Sequence, residues 1–196
     1  MSKERKKNIG VAKPSGVDFS DLGLERTSGK VRDIYNLGDG RLLIKTTDRL
    51  SAFDRQVGVI PGRGQILNEL SAFWFENTSD IVPNHMIEVI DPNVMVVKEC
   101  ERIDLEMVVR GFLTGVTDTS IWMRYQSGQR NFGEVLLPDG MKKNQSLLHP
   151  ILDPTTKASV GHDKAIMKYQ IIEAGIVTAR EYEKVESTAL KLFARG

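Results

Sequence analysis

Apolar and polar residues alternate over two neighbouring segments near the N-terminus, and this pattern predicts an antiparallel hairpin. VRDIYNL spans residues 31–37, RLLIKTTD spans 41–48, and Gly-Asp-Gly at 38–40 separates them. A glycine-rich turn between two such segments is typical of a β-hairpin. The polar turns between later apolar segments favour a mixed or antiparallel sheet. Three further strands are predicted, at 86–90, 93–97 and 105–109.

Apolar residues at helical spacing predict four helices. Their ranges are 65–77, 118–125, 164–175 and 178–194. The apolar face of the first is formed by Ile66, Leu67, Leu70, Phe73 and Trp74. Asp118 or Thr119 is expected to cap the second helix, and Thr178 with Glu181 to form a capping box before the fourth. Residues 58–64 and 126–163 are expected to form loops, and a loop as long as the second is usually functional.

Composition and charge exclude several classes of protein. The 196 residues include 27 basic and 26 acidic side chains, a net charge of +1, which leaves no electrostatic footprint for nucleic acid. A single cysteine, Cys100, excludes an intramolecular disulfide, and we expect a small buried side chain there. No apolar run approaches the ~18 residues of a membrane helix, and no signal-peptide pattern is found. A cytoplasmic location is therefore expected, with a flexible basic tail over residues 1–20.

Two polar blocks near the predicted hairpin are candidates for binding chemistry. In SGKVRDIY (28–35), Gly29 would let the backbone approach a phosphate, and Lys30 and Arg32 would neutralise its charge. In TTDRLSAFD (46–54), ionisable and hydroxyl side chains crowd the end of an apolar strand, where binding sites are commonly built. A plain surface turn with solvated basic residues is the alternative for the first block.

Two later segments are further candidates. Arg110 ends the apolar strand of LEMVVRGFLTG (105–115), where its planar fork could clamp a phosphate or carboxylate. The alternative is a structural ion pair with Glu106, which alternation places on the same strand face. In PTTKASVGHD (154–163), Lys157 could contact an anionic substrate and Asp163 could hold the lysine, or the loop is simply solvated. The three histidines do not have the spacing of metal ligands.

These residues lie in motifs that resemble the SAICAR synthetase family, the phosphoribosylaminoimidazole-succinocarboxamide synthases of purine biosynthesis. The resemblance covers residues 20–195. The motifs, in family order, are SGKVRDIY, TTDRLSAFD, IPGRGQILNELSAFWF, VVRGFLTG, LPDGMKKNQ and ILDPTTKASVGHD.

The resemblance implies an α+β fold and a carbon–nitrogen ligase. It implies an N-terminal domain (21–103), whose antiparallel sheet grips the nucleotide as in protein kinases, and an ATP-grasp-like α+β domain (104–196). The implied reaction uses ATP and Mg²⁺ to activate the carboxylate of the ribotide CAIR, which the amine of L-aspartate then attacks. The products are SAICAR, ADP and phosphate, and this chemistry needs positioned cations more than a covalent nucleophile.

The resemblance also implies roles for individual residues. The triphosphate would lie against Gly29, Lys30, Val31 and Arg32. The adenine would be held by backbone groups of the segment 98–103, which contributes Lys98, Glu99, Cys100, Arg102 and Ile103. The substrate cleft would be bordered by Asp48, Arg49, Ser51, Glu106, Arg110, Thr114, Gly115 and Lys157. Arg110 would bind the ribotide phosphate, and Lys157 and Asp163 would lie near the reacting carboxylate.

The sequence departs from the family pattern at two places. Val116 replaces a serine that contacts the substrate phosphate, and Thr117 or Ser120 is the candidate substitute. Neither the family's Asp-x-Lys-x-Glu-Phe-Gly motif nor its Asp-Ser-Ser-Arg motif occurs, so the acidic metal ligands are unknown and expected in a further C-terminal segment. Two alternatives stay open: a small-molecule kinase with the same ATP hairpin, and an inactive nucleotide-binding fragment that needs that segment. A homo-oligomer is also left open.

Overall fold

The chain folds into two compact units. The computed structural model describes residues 19, 23–52, 55–157 and 164–196. One unit ends at Cys100 and the other begins at Glu101. The predicted boundary after Ile103 stays a prediction, and the predicted tail lies outside the described residues except for Phe19.

The first unit is built on an antiparallel sheet. Its elements are β1 (Arg26–Ser28), β2 (Arg32–Asn36), β3 (Arg41–Thr46), β4 (Arg49–Ala52), β5 (Arg55–Val59), α1 (Arg63–Asn77), β6 (Met86–Asp91) and β7 (Val94–Lys98). Five of the strands form one sheet in the order β1-β2-β3-β7-β6, and β4 and β5 pair separately. The predicted hairpin of β2 and β3 is confirmed, with Ile34 opposite Ile44. The loop predicted at 58–64 is wrong at both ends, because β5 continues to Val59 and α1 begins at Arg63.

The core of the first unit lies against this sheet. Strand β7 is buried along four consecutive residues, which fits its position between β3 and β6. The buried cluster contains Phe19, Tyr35, Leu43 and Val94. Burying both faces of a strand requires a continuous apolar sequence, and this explains the run VMVV.

Helix α1 is confirmed at the predicted place, but its predicted apolar face is exposed. Ile66 and Leu70 are among the exposed residues, whereas Gly64, Asn68 and Ala72 are buried. A Cβ at Gly64 would overlap the backbone oxygen of Thr46 at the end of β3. This close approach selects small residues at spacings of four for the buried face of the helix.

The second unit combines short antiparallel pairs with three helices. Its elements are β8 (Leu105–Glu106), β9 (Val109–Leu113), α2 (Ile121–Gln126), β10 (Asn131–Phe132), β11 (Val135–Leu136), β12 (Gln145–Leu152), β13 (Thr155–Thr156), α3 (Lys168–Glu173) and α4 (Ala179–Arg195). The pairs are β8 with β13, β9 with β12, and β10 with β11. Helix α4 packs on β9 and β12. The larger core cluster contains Leu113, Ile121, Tyr125, Phe132, Leu137, Leu147 and Ile151.

Several sequence predictions for this unit are corrected. The strand predicted at 105–109 is two strands, because the chain leaves β13 after Glu106 and joins β12 from Val109. The loop predicted at 126–163 contains the eight-residue strand β12, in which the ladder is irregular between Ser146 and Ile151. Pro150 lies in that irregular part. A proline is tolerated there, because it has no N–H to donate to a regular ladder. His149, which we expected in a loop, also lies in β12.

The helices of this unit are partly as predicted. Ser120 caps α2, not Asp118 or Thr119, and accepts a hydrogen bond from the backbone of Met123. Helix α3 is shorter than predicted and begins at Lys168. Thr178 and Glu181 form the predicted capping box before α4. The predicted α+β class is confirmed, and no helix in the described ranges is long and apolar enough to cross a membrane.

Candidate functional site

The glycine turn of residues 29–31 joins β1 to β2. The backbone N–H of Gly29 donates to the Arg32 oxygen at 2.7 Å, which closes the turn on itself. Thr47, just beyond β3, donates to the Val31 oxygen through its backbone N–H at 2.9 Å and its hydroxyl at 2.8 Å. The turn is therefore fixed by hydrogen bonds on two sides.

Arg49 braces the same turn from strand β4. Its Nη2 donates to the Gly29 oxygen at 2.9 Å and to the Asp33 Oδ1 at 2.8 Å. Its Nη1 lies 3.3 Å from the Asp33 Oδ2, so the fork grips that carboxylate at both oxygens. Planar two-point contact of this kind is what a guanidinium provides and an ammonium does not.

Asp33 is the buried centre of this cluster. Ser28 Oγ donates to its Oδ1 at 2.8 Å, and Arg26 Nη2 to its Oδ2 at 3.1 Å. Burial raises the pKa of Asp33, but hydrogen bonds from Arg49 and Ser28 and the nearby arginine charges outweigh it and lower the pKa below 3.8. The carboxylate is thus ionised at neutral pH and holds two arginines beside the glycine turn.

Asp48 anchors helix α1. Its Oδ1 accepts the backbone N–H of Gly64 at 2.8 Å, and its Oδ2 accepts that of Gly62 at 3.1 Å. A carboxylate at a helix N-terminus satisfies donors that the helix cannot pair and interacts favourably with its dipole. Ser51 lies in β4, where it pairs with Gln56. Substrate contacts of Asp48, Arg49 and Ser51 remain predictions, while the structure gives the first two these bracing roles.

The segment predicted to hold adenine begins at the end of β7. The backbone N–H of Lys98 donates to the His85 oxygen and that of Glu99 to the Gly40 oxygen, each at 2.8 Å. Cys100 is exposed, so the expectation of a buried thiol is wrong. Strand β7 ends at Lys98, so the chain has left the sheet at Cys100. Arg102 pairs with Asp104 at 2.7 Å, and Ile103 is exposed.

In the second unit, Arg110 shares a carboxylate with a second arginine. Asp153, which follows β12, is buried with 6% of its side chain exposed. It accepts Arg110 Nε at 2.9 Å on Oδ2, and Arg124 Nη2 at 2.6 Å on Oδ1 and 2.5 Å on Oδ2. Arg110 lies inside β9 opposite Ile151, and not at the end of a strand as we expected.

The alternative ion pair between Glu106 and Arg110 is not formed. The two residues belong to different strands, and Glu106 pairs instead with the ammonium of Lys157. The ladder of β8 and β13 brings them together, since Thr155 lies opposite Glu106 and the Lys157 N–H donates to the Asp104 oxygen at 3.0 Å. Both side chains of the pair are partly exposed, as a substrate-contacting lysine requires. Asp163, predicted to hold Lys157, lies outside the described residues.

The turn after β9 is tightly packed. Thr114 Oγ1 donates to Asn144 Oδ1 at 2.6 Å. Gly115 has a φ of 115°, and a Cβ there would overlap the side chain of Ser120. Val116 is 76% exposed, at the position where the resemblance implies a serine. Ser120 is buried as the cap of α2, which leaves Thr117 as the exposed hydroxyl of the two candidates.

Sequence reasoning missed Asp33, Arg124 and Asp153, although faint signals existed. Asp33 stands two residues before the buried Tyr35 on an alternating strand, so it occupies an inward position. Arg124 follows Ile121 by three residues and therefore shares the buried face of its helix. Charged residues at inward positions need partners, and here Asp33 pairs with Arg49 and Arg124 pairs with Asp153.

Metal ligands do not converge in the described ranges. No group of three or more histidine, cysteine, aspartate or glutamate side chains there is arranged to hold a metal ion. We therefore assign no described residue to the Mg²⁺ that the resemblance implies.

The fold and these clusters define an α+β protein of two units, each with arginines gathered around a buried aspartate. The sequence profile described as SAICAR synthetase matches residues 25–196. The chain belongs to the SAICAR synthetase family.

Individual relatives agree with this assignment. A phosphoribosylaminoimidazole-succinocarboxamide synthase of Legionella pneumophila (strain Paris) is 47% identical over 172 residues, covering 88% of this chain and 54% of that protein. The chloroplastic synthase of Vigna aconitifolia is 51% identical over 173 residues, covering 88% and 50%. The chain spans about half the length of these curated relatives.

Solved structures show the same fold. The SAICAR synthase from Saccharomyces cerevisiae complexed with SAICAR has a TM-score of 0.77 at 28% identity, covering 95% of this chain and 65% of that chain. A type-2 SAICAR synthetase in complex with ADP has a TM-score of 0.70 at 23% identity, covering 87% and 66%.

Proposed function

We propose that this chain carries the nucleotide-binding and ribotide-binding parts of a SAICAR synthetase. The proposed enzyme joins the amine of L-aspartate to the carboxylate of CAIR and converts ATP to ADP and phosphate. The observation that carries the proposal is the family match over residues 25–196. The rigid glycine turn and the two arginine clusters are the physical support, because all three substrates are anionic.

In the first unit, the glycine turn of residues 29–31, together with Arg32 at the start of β2, receives the triphosphate. Arg49 and Thr47 hold the turn in place before ATP arrives, so little ordering entropy is lost on binding. Lys30 and Arg32 supply positive charge at the turn. The segment 98–103 contributes backbone groups to the adenine. A family member whose structure is described as a complex with ADP supports nucleotide binding in this fold.

In the second unit, Arg110 receives the phosphate of the ribotide and Lys157 lies near its carboxylate. Arg110 donates to Asp153 through Nε. Its two terminal nitrogens make no ion pair with any acidic side chain in the described part of the chain. Glu106 orients the Lys157 ammonium. Thr114 and Gly115 border the same substrate, while the role of Asp163 near the carboxylate stays a prediction because that residue lies outside the described ranges. A family member described as complexed with SAICAR supports a product of this kind.

The proposed reaction has two steps. The γ-phosphoryl group of ATP passes to a carboxylate oxygen of CAIR, which forms an acyl phosphate and releases ADP. The amine of aspartate then attacks the acyl carbon, phosphate leaves with that oxygen, and the nitrogen loses a proton. Lys157 positions the carboxylate oxygen for attack and stabilises the negative charge of the phosphoryl group as it is transferred, which is the kind of help that phosphoryl transfer needs. No described residue is assigned to Mg²⁺, and a cytoplasmic location and a homo-oligomeric state stay predictions.

Oxygen labelling tests the proposal. With CAIR labelled by ¹⁸O in its carboxylate, one label should appear in inorganic phosphate and one should stay in the amide of SAICAR. A small-molecule kinase would give a phosphorylated product and no labelled phosphate. A nucleotide-binding fragment would give neither product, and activity would return only when a separate C-terminal segment is added.

A further inference from the structure

We propose that Arg124 is a positioning residue: it takes the charge of Asp153, so that Arg110 can bind the phosphate group of a sugar phosphate. The inference rests on the proposed function, in which Arg110 is the phosphate ligand. It adds two residues, Arg124 and Asp153, to which the sequence motifs give no role.

The hydrogen bonds divide unequally between the two arginines. Arg124 contacts both oxygens of Asp153, at 2.6 and 2.5 Å, whereas Arg110 contacts one oxygen at 2.9 Å. Arg124 is also the more buried, with 16% of its side chain exposed against 24% for Arg110. Asp153 is thus mainly the partner of Arg124, and it orients Arg110 through a single bond at Nε.

Charge explains why the second arginine is needed. Arg110 and Asp153 alone would form a neutral pair, in which the carboxylate opposes any anion that approaches the guanidinium. Arg124 makes the group one carboxylate and two guanidiniums, with a net charge of +1. Electrostatic effects are strong in a partly buried cluster, where water screens them less. The terminal nitrogens of Arg110 then keep their affinity for phosphate, which a planar fork binds at two points.

The fold holds Arg124 rigidly in this position. Its guanidinium lies over the ring of Phe132, 5.1 Å from the centroid. Ser120 caps the helix that carries it, and Gly115 packs against Ser120. The backbone N–H of Asp153 donates to the Val108 oxygen at 2.8 Å, which ties the carboxylate to the strand end beside Arg110. A rigid support of this kind is expected for a group that must not collapse onto the ligand site.

Calorimetric titration of the full chain with ribose 5-phosphate and with inorganic phosphate tests the inference. The variants are Arg124→Gln, Asp153→Asn and the double variant, with Arg124→Lys as the conservative change. Arg180→Gln, at an exposed position of α4, is the control for loss of one positive charge. Thermal unfolding of each variant shows whether it is folded, and the comparison uses only folded variants.

Arg124→Gln should weaken ribose 5-phosphate binding about tenfold or more, because it leaves Asp153 to neutralise Arg110. Adding Asp153→Asn to Arg124→Gln should recover most of the lost affinity, although the double variant has lost more contacts than the single variant. Arg124→Lys should give an intermediate affinity, and Arg180→Gln should not change it. If Arg124→Gln does not fold, the test uses Arg124→Lys instead. This variant must weaken phosphate binding, and combining it with Asp153→Asn must reverse that effect.

A purely structural role for Arg124 predicts the opposite pattern, in which the double variant binds no better than Arg124→Gln. That result, or no detectable binding of either probe by the native chain, overturns the inference. The readout is separate from catalysis. If the native chain binds ribose 5-phosphate with this variant pattern but releases no ADP with aspartate, the positioning role stands and the proposed function fails.

Discussion

The guanidinium of Arg49 lies 2.8 Å from the buried carboxylate of Asp33, sixteen residues earlier in the chain. The same guanidinium reaches the backbone oxygen of Gly29 at 2.9 Å. One side chain therefore couples the strand β2, the strand β4 and the glycine turn. The turn that we propose for the triphosphate owes its shape to this pair, so under the proposed function the pair supports both stability and nucleotide binding.

Asp33→Asn should destabilise the first unit by about 2–4 kcal/mol, because it leaves Arg49 and Arg26 beside a neutral group and removes a buried ion pair. Urea unfolding measures the change. Asp39→Asn is the matched control, since Asp39 pairs with Arg41 at 2.6 Å on the surface. It should leave stability unchanged within error. Equal effects of the two changes would show that the Asp33 cluster contributes no more to stability than an exposed ion pair.

His85 should make stability depend on pH just below neutrality. Burial lowers the pKa of His85 below 6.5, and the charge of Arg32 lowers it further. Because the folded state resists protonation, the unfolded state binds more protons as the pH falls below 6.5, and the free energy of unfolding decreases. The contribution is fully present above pH 6.5 and is lost as the pH falls through the lowered value. His85 also packs edge-on against Phe75, with ring centroids 5.0 Å apart.

The variant His85→Gln, which does not titrate, should remove this slope between pH 7 and pH 5. Urea midpoints across that range, with NMR titration of His85 in the native chain, measure it. An unchanged slope in the variant would assign the pH dependence to other groups.

Gly64→Ala should destabilise the chain despite the better helix propensity of alanine. Propensity favours alanine by about 1 kcal/mol, but the new Cβ would overlap the backbone of Thr46, which cannot rotate away. Overpacking of this kind costs about 1–3 kcal/mol, so a net loss is expected. Gly58→Ala meets nothing within 4 Å and is the control. Thermal unfolding that shows a gain for Gly64→Ala would contradict the close packing of α1 on β3.

Arg110→Ala should weaken binding of the ribotide and leave binding of the nucleotide unchanged. Loss of a charged two-point contact predicts a rise of about 10- to 100-fold in the dissociation constant of CAIR, with little change for ATP. Separate titrations with each ligand measure the two constants. Equal losses of affinity for both ligands would contradict the proposed role of Arg110 as the ligand of the ribotide phosphate.

The sequence correctly predicted those elements whose formation depends on residues close to one another along the chain. The hairpin of β2 and β3 follows from alternation around Gly-Asp-Gly, and the start of α4 from the capping box at Thr178. Strand β1 has three exposed residues and no apolar pattern, so its existence depends on pairing with β2. Strand β12 was not predicted, because Pro150 made the segment resemble a loop, whereas the proline lies in the irregular part of the ladder.

The candidate site was predictable only in part, for the same reason. Motifs predicted Lys30, Arg110 and Lys157 as candidates, but side chains that contact the last two are distant in sequence. Asp153 lies 43 residues from Arg110 and 29 from Arg124. Such pairings depend on the register of strands and on helix placement, which no local pattern encodes.

The most direct test of the account is ADP release by the 196-residue chain with ATP, Mg²⁺ and CAIR, measured with and without L-aspartate. The account predicts sustained release only when both CAIR and aspartate are present, with SAICAR formed in equal amount. Release that is independent of aspartate, or no release from folded chain that binds ATP, would contradict it.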